Sequence, residues 1–435
     1  MKPTRRELYF FILLLLLPAA AFKTYTWAHT GPLLVERSFS YLDAARELPE
    51  RGTYSGMETL RRTPGYPLFL AAALAAGRGS LRAVTLAQHL LGLGAAFFLM
   101  RLALLLWESR AAAAAVFLLV AFHPVFIFYE SSIESELVSV FLFCVMLFYS
   151  ARAAFGEERE RASALAAGLA GGAAALTRPE LALCAIVPAV FILFPRKRVA
   201  AALYFFLPFA ALVTFWMLRN LVQFGSFTLT PMGAITSLQT SGPLIDWDAP
   251  GHADFKKVYA ETLRENGGEH RTVVNRTIEK LIKNSGKGTE TIYLEAAELG
   301  RETMLRRPFS YLLATAANFR DFLPSLELDC RESAARFPAT PGILLSQQLR
   351  LPWLALFGFA AALRARRTAA ALFALSCAVC LAAANCLVEV GLGRRSFEVL
   401  PLLALSASYL YAAAAALPVW RKIALRLKGR GAPGA

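Results

Sequence analysis

Ten stretches of this 435-residue chain are apolar over the length that a helix needs to cross a bilayer, which is roughly 20 residues. They lie at 7–23, 82–106, 111–129, 134–155, 162–177, 181–195, 198–219, 349–363, 368–390 and 396–417. Hydrophobic residues make up 57% of the chain, more than the 45–50% or so that is usual in soluble domains. The sequence therefore predicts an all-α, polytopic integral membrane protein with about ten transmembrane helices.

The distribution of basic residues predicts the orientation. With the N-terminus inside, the cytoplasmic turns hold 19 Lys and Arg, whereas the short outer turns near 130–136, 178–180 and 391–395 hold 3. This asymmetry follows the positive-inside rule, and it predicts an N-in, C-in topology. The first span is expected to be an uncleaved anchor, because further spans follow it. The net charge of +15 thus marks orientation, and a nucleic-acid partner is excluded as its explanation.

Two long outer loops divide the chain into three parts: 1–219 with loop 1 at 24–81, then loop 2 at 220–348, then 349–435 with a basic tail. In loop 1, the apolar stretch 66–76 is too short to span and predicts a helix at the surface or re-entering it. Loop 2 is expected to start as extended chain at 224–243. It continues as a small helical cap with helices at 253–263, 272–283, 289–305 and from Pro308 onward.

Charged residues cluster at the outer ends of the predicted spans, where a charge near hydrocarbon needs a function or a partner. Arginine matches phosphate oxygens with two parallel hydrogen bonds, and a carboxylate can act as a general base toward a hydroxyl. The alternative for each residue is a side chain that only reaches the headgroups or pairs with a neighbour. The groups are Glu36, Arg37 and Asp43; Glu130, Glu134 and Glu136; Arg178 and Glu180; Arg219 and Asn220; and Arg394 and Arg395.

Cysteine and histidine indicate no metal site. Cys377 and Cys380 lie among small apolar residues and favour helix packing, and the five histidines have no ligand spacing. His123-Pro124 predicts a helix kink with a buried histidine.

Several segments, in order along most of the chain, resemble the GT-C superfamily of glycosyltransferases that use lipid-phosphate sugars. The similarity is to the family-39-like branch, with protein O-mannosyltransferases and aminoarabinose transferases. The segments are Tyr41 to Ala45, Arg62-Thr63-Pro64-Gly65-Tyr66-Pro67, His123-Pro124 with Ser135-Glu136, Leu176 to Glu180, and Trp216 with Arg219-Asn220.

The resemblance implies transfer of a sugar from a polyprenyl- or dolichyl-phosphate donor to an acceptor hydroxyl, with inversion, at the periplasmic or exterior face of a bacterial inner membrane. In the family a loop 1 carboxylate four residues before the tyrosine is the base, but that position here is Arg37, so Glu36 and then Asp43 are the candidates. Glu136 is expected as a further catalytic acid. The residues expected to bind the lipid phosphate or substrate are Arg178, Arg219, Arg394, Arg395, Tyr66 and Glu134.

The acceptor, an envelope glycan, lipid or protein, stays open, as does a divalent cation such as Mg²⁺ or Mn²⁺. Two other functions are also open: a transporter or flippase of lipid-linked sugars, and a non-catalytic protein that binds a polyprenyl lipid. Transporters usually show paired half-repeats and discontinuous helices at the membrane midplane, whereas the charges here lie at the outer ends of the predicted spans.

Overall fold

The fold is described from a computed structural model that covers residues 4–51, 57–156, 159–193, 198–268, 270–316, 318, 351–388 and 397–415. Within these ranges the structure is helical, without β-strands, and its one isolated bridge joins Leu33 to Ser132. The first helices are α1 (Arg5–His29), α2 (Glu36–Arg51), α3 (Met57–Arg61), α4 (Gly65–Ala76), α5 (Leu81–Trp107), α6 (Arg110–Ala121), α7 (Pro124–Ser131), α8 (Glu136–Phe155) and α9 (Glu160–Thr177). They are followed by α10 (Leu181–Cys184), α11 (Ile186–Leu193), α12 (Val199–Phe224), α13 (Met232–Ser241), α14 (Ala253–Glu265), α15 (His270–Asn284), α16 (Thr289–Arg306), α17 (Leu351–Arg364), α18 (Thr368–Val388) and α19 (Leu400–Ala415).

Each of the ten predicted spans contains helix among its described residues, and the predicted all-α membrane fold is confirmed. In the described part of the chain, six helices are long and apolar enough to cross a membrane, or seven if α6 and α7 form one bent span. The other three predicted spans are α9, α10 with α11, and α17. Among these, the described parts of α11 and α17 are 8 and 14 residues long, and α9 is rich in alanine and glycine, which lowers its apolarity.

The predicted kink at His123-Pro124 is confirmed. The axes of α6 and α7 differ by 48°. Proline has no amide hydrogen to continue a helix, so α7 starts afresh at Pro124. Buried His123 caps α7, because its Nδ1 accepts a hydrogen bond from the backbone amide of Val125 at 3.2 Å.

Helix α1 is longer than predicted, since it continues past residue 23 to His29. Lys23 therefore lies within a helix, where its ammonium group forms a buried ion pair with Glu130 of α7. Lys23 lies at the outer end of the first predicted span, where the positive-inside rule does not explain a basic residue. The ion pair with Glu130 explains it. A buried ammonium group with a carboxylate partner has no need to reach the headgroups.

Loop 2 differs from the prediction at its start. The segment 224–243 was expected to be extended, but it contains the end of α12 and the helix α13. Ile235 and Leu238 of α13 are fully buried in a small core shared with α14, α15 and α16. This burial outweighs the low helix propensity of the Ser and Thr residues. The three later helices are confirmed, each within two residues of its predicted bounds, and the chain is helical again at 308–316.

The loops gather at one end of the bundle, which we call the loop face: α2 to α4, the turns 132–135 and 178–180, and α13 to α16. Leu33 and the 131–133 segment exchange backbone hydrogen bonds of 2.8 and 3.0 Å. Thr230 bonds to the carbonyl of Arg61. These contacts join loop 1 and loop 2 over the same span ends. The three-part division at 219/220 and 348/349 stays a prediction.

Glycine allows α9 and α12 to pack closely. A Cβ atom on Gly168 would lie 2.1 Å from the backbone oxygen of Phe205, and this backbone atom cannot rotate away. We predict that Gly168→Ala lowers the stability by about 1–3 kcal/mol, the usual cost of overpacking, seen as a lower apparent Tm in detergent. Gly31→Ala is the control, because no atom lies within 4 Å of its added Cβ. Equal melting of the two variants would contradict this packing.

Candidate active site

Arg178 is the centre of a buried cluster of charges on the loop face. It directly follows α9, and its side chain is 7% exposed. Its Nη1 lies 2.7 Å from Oε1 of Glu136, its Nη2 lies 2.8 Å from Oε1 of Glu180, and its Nε contacts Glu398. The three carboxylates come from α8, from the turn after α9, and from the segment before α19. One guanidinium group thus joins the ends of three membrane helices.

The cluster has more negative than positive charge, because three carboxylates surround one guanidinium group. Burial by itself lowers the pKa of Arg178, but the carboxylates of Glu398, Glu180 and Glu136 outweigh burial and raise that pKa well above its ordinary value. Arg178 is therefore fixed in its charged form, and each of its three nitrogens contacts a carboxylate. These carboxylates neutralise its charge, which weakens its attraction for a phosphate.

Three successive residues, Glu134, Ser135 and Glu136, form what we call the acidic turn, and each binds a different partner. Glu134 accepts hydrogen bonds of 2.8 and 3.2 Å from Arg37 of α2. The Ser135 hydroxyl lies 3.0 Å from that of Tyr41, and Glu136 binds Arg178. The charge of Arg37 is also balanced: burial opposes it, but Glu134 and Glu136 outweigh burial, so its pKa is raised. The turn thereby fixes α2 against the cluster.

Arg62 differs from these arginines in its partners. Its Nε donates to the Ser40 hydroxyl at 3.0 Å, its Nη1 lies 3.5 Å from the Tyr41 hydroxyl, and its guanidinium group lies 4.5 Å from the centre of the Tyr41 ring. Within the described ranges it has no carboxylate partner. Hydroxyls and a ring face orient Arg62 without neutralising it.

The position of Arg62 depends on the Thr63-Pro64-Gly65 segment. The Thr63 hydroxyl donates to the carbonyl of Thr177, and a Cβ atom on Gly65 would lie 2.3 Å from the Thr177 hydroxyl and 2.7 Å from its amide nitrogen. Only glycine allows so close an approach. The segment is thus held against the end of α9, and Arg62 lies next to the Arg178 cluster.

Two cavities meet at this point. The first, of about 230 Å³, is lined by Arg178, Glu180, Tyr41 and Ser135. The second, of about 820 Å³, lies between α2 and the loop 2 helices. Four residues line both cavities: Arg61, Arg62, Met232 and Thr236. Arg62 therefore lies at the junction of the two spaces.

Both loop 1 carboxylates proposed from the sequence face the second cavity. Glu36 and Asp43 are exposed, and both line it together with Ser40. The spacing of four and three residues puts all three on one side of α2. Since Ser40 binds Arg62, the two carboxylates flank that guanidinium group, one helical turn to each side.

The other predicted residues have separate places. Tyr66 is fully buried and donates a hydrogen bond of 2.9 Å to Gln88, so it belongs to the scaffold below the acidic turn. Arg219 bonds to Thr59 and to its neighbour Asn220 and lies over two aromatic rings. Arg394 and Arg395 lie outside the described residues. The structure thus brings together Glu134, Glu136, Arg178, Glu36 and Asp43. Tyr66 lies directly behind them, with its ring centre 4.9 Å from that of Tyr41, whereas Arg219 bonds to Thr59 of α3.

The sequence analysis did not propose Arg62 or Glu398 as site residues. Arg62 stands directly before the Thr-Pro-Gly-Tyr-Pro segment, and its charge beside a conformationally restricted segment was a usable signal. Glu398 begins an apolar span, where a carboxylate is costly without a partner. Because Glu398 and Arg178 are far apart in the sequence, their pairing could not be predicted from it.

A divalent cation finds no fitting set of ligands in the part of the chain that the structure describes. No group of three or more Asp, Glu, His or Cys residues there is arranged to hold a metal ion. The three glutamates of the cluster are bonded to Arg178, which supplies the positive charge at their centre.

Comparison with known proteins confirms the family resemblance over part of the chain. Residues 61–220 match the profile of the family described as dolichyl-phosphate-mannose-protein mannosyltransferase. This segment contains Arg62, the acidic turn and Arg178. Among curated proteins, none matches the sequence.

Two solved structures are similar over most of the chain. One is the archaeal oligosaccharyltransferase AglB from Archaeoglobus fulgidus, with an inhibitory peptide and a dolichol-phosphate. The identity is 15%, the TM-score is 0.49, and the match covers 99% of this chain and 53% of AglB. The other is ArnT from Cupriavidus metallidurans bound to undecaprenyl phosphate, with 15% identity, a TM-score of 0.39, and coverage of 93% and 78%. The chain thus spans about half the length of AglB.

Removal of Arg178 should destabilise the protein strongly, because three buried carboxylates would lose their partner. We predict that Arg178→Ala costs about 3–5 kcal/mol, as when one partner of a buried ion pair is removed, and lowers the apparent Tm or the yield of monodisperse protein. Arg367→Ala is the control, since it removes an exposed pair with Glu108 worth about 0–1 kcal/mol. Similar losses in both variants would show that the cluster does not hold the helix ends.

Proposed function

We propose that the protein is a membrane glycosyltransferase that transfers a sugar from a polyprenyl-phosphate donor to an acceptor hydroxyl. The family match at 61–220 supports this reaction class, because the described family uses a lipid-phosphate sugar. The observation that carries the proposal is the position of Arg62: a guanidinium group without a carboxylate partner, at the junction of two cavities.

Arg62 is proposed as the ligand of the donor phosphate. Guanidinium binds phosphate oxygens through paired, charge-assisted hydrogen bonds, and Ser40 and Tyr41 already hold the group in place. Little side-chain entropy is then lost on binding. Arg178 was also a candidate from the sequence, but we propose that, with three carboxylate partners, it holds the site together instead.

An apolar groove next to the first cavity suits the lipid chain of such a donor. The groove, of about 420 Å³, is lined by α10, α11 and the first half of α12, and its walls are almost entirely hydrocarbon. The single turn α10 lines both spaces: Leu183 faces the cavity and Ala182 faces the groove. A phosphate near Arg62 and a prenyl chain in the groove would therefore place the donor across the boundary of the membrane.

The general base is proposed on the cavity side of α2. In a single displacement, Glu36 or Asp43 accepts the proton of the acceptor hydroxyl while the oxygen forms a bond to the anomeric carbon. The bond from that carbon to the phosphate oxygen breaks, and the lipid phosphate leaves with the electron pair. Arg62 stabilises the charge that develops on the phosphate. Attack from the side opposite to the phosphate inverts the anomeric centre.

The reaction is proposed to occur at the periplasmic or exterior face of a bacterial inner membrane. The asymmetry of basic residues supports this orientation, since it puts the loop face outside. The acceptor would then belong to the cell envelope. A flippase is less well supported, because the cavities and the arginine lie at the ends of the membrane helices.

Replacing Arg62 should weaken donor binding. We predict that Arg62→Ala raises the Kd for polyprenyl phosphate by about tenfold to a hundredfold, as expected for loss of a charge-assisted hydrogen bond. Binding is measured by native mass spectrometry of the protein in nanodiscs. Arg264→Ala, on the exposed side of α14, controls for loss of one positive charge. Unchanged affinity in Arg62→Ala would refute the assignment of the phosphate site.

The base is identified by transfer from a synthetic polyprenyl-phosphate sugar. We expect Glu36→Gln or Asp43→Asn to lower the rate by at least about 100-fold, the usual contribution of a general base, while donor binding persists. The assay is run with Mg²⁺ and with EDTA to test the role of a cation. If both variants transfer at the wild-type rate, the base is neither Glu36 nor Asp43. If the wild type binds the lipid but consumes no donor, the protein is a non-catalytic lipid-binding protein.

A further inference from the structure

The second cavity has a lining that the donor does not explain. Its residues come from α2, α3, α13, α15 and α16 and from Arg62 directly after α3, and none lies on a candidate membrane span. A donor tethered to the membrane by its lipid chain keeps its phosphate at the span ends, beside the first cavity. The second cavity lies beyond Arg62 and away from the membrane, where an acceptor can enter from water.

The charges of this lining balance one another. Glu36, Asp43 and Glu279 contribute three carboxylates, and the described residues give none of them an ion-pair partner. Four arginines oppose them: Arg61, Arg62 and Arg276, together with Arg37, whose charge is already balanced by Glu134. A strongly anionic ligand would meet the free carboxylates, and a strongly cationic one would meet the guanidinium groups. Both are disfavoured, since like charges in contact cost several kcal/mol.

The remaining lining combines planar polar groups with apolar and aromatic surface. Helix α15 presents Thr272, Asn275, Arg276 and Glu279 on one face, at helical spacing. Its opposite face carries Val273 and Val274 in the loop 2 core. Across the cavity lie Phe39 of α2 and Tyr293 of α16. Carboxylates, amides and guanidinium groups can each bind two neighbouring hydroxyls of a ligand. Aromatic ring faces pack against the C–H surfaces of such a ligand.

We infer that the second cavity binds the acceptor, and that the acceptor is an uncharged saccharide, such as the glycan part of an envelope polymer or glycolipid. This inference rests on the proposed glycosyltransferase function. A saccharide offers many neutral hydroxyls that both carboxylates and arginines can bind. The volume of about 820 Å³ lies within the range of roughly 300–1,000 Å³ that is usual for ligand sites. An acceptor hydroxyl in this cavity faces Glu36 and Asp43.

The test measures binding of the full-length protein in nanodiscs to an array of short oligosaccharides built from glucose, mannose, galactose and N-acetylglucosamine. The array also carries phosphorylated versions of these sugars and Ser/Thr-rich peptides. We expect neutral oligosaccharides to bind best. Glu279→Gln combined with Asn275→Ala should weaken that binding by about tenfold or more, because hydrogen bonds to the sugar are lost. Glu290→Gln, an exposed carboxylate on α16 outside the cavity, should leave it unchanged.

Binding of polyprenyl phosphate is measured on the same samples. The double variant should keep wild-type affinity for that lipid, which also shows that it is folded. Preferential binding of phosphorylated sugars or of peptides would overturn the inference, as would neutral-sugar binding that the double variant leaves intact. A wild type that binds the lipid but no oligosaccharide also overturns it. A wild type that does not bind the lipid would instead refute the proposed function.

Discussion

The site depends on a buried guanidinium group at the place where three membrane helices end. Carboxylates near hydrocarbon are costly when unpaired, and Glu136, Glu180 and Glu398 share one cation, Arg178. The attraction between Arg178 and these carboxylates fixes the acidic turn. The acidic turn then holds Arg37 and Tyr41 of α2. The loop 1 helix is therefore positioned by these polar contacts together with the apolar packing of Leu42 and Ala45.

The arginines of the site fall into two groups: those with partners that neutralise or hold them, and one that is oriented but not neutralised. Arg178 and Arg37 are neutralised by carboxylates, and Arg219 is stacked on aromatic rings and bonded to Thr59. Arg62 is oriented by hydroxyls and keeps its charge. The rigid arginines give the free arginine a defined position between a small cavity beside the membrane and a large one above it. A transferase with a lipid-borne donor and a water-borne acceptor needs such an arrangement.

The membrane helices and the grouping of charges at one end were predictable from the sequence, because apolar length and the asymmetry of basic residues are local signals. The pairing of Arg178 with Glu398 was not predictable, because 220 positions separate the two residues and the sequence around one gives no indication of the other. Helix α13 was missed because Gly, Ser and Thr favour loops, whereas burial of Ile235 and Leu238 decides the conformation. Lys23 lies at the outer end of the first predicted span, where the positive-inside rule does not explain a cation, and its pairing with Glu130 does.

The donor phosphate is proposed to bind Arg62 at the junction of the two cavities. An experimental structure of the protein with polyprenyl phosphate tests this proposal most directly. We expect phosphate oxygens within hydrogen-bond distance of the Arg62 guanidinium group, the prenyl chain along α10 to α12, and the Arg178 cluster intact. A phosphate bound to Arg178 in place of its glutamates, with Arg62 turned away, would contradict it.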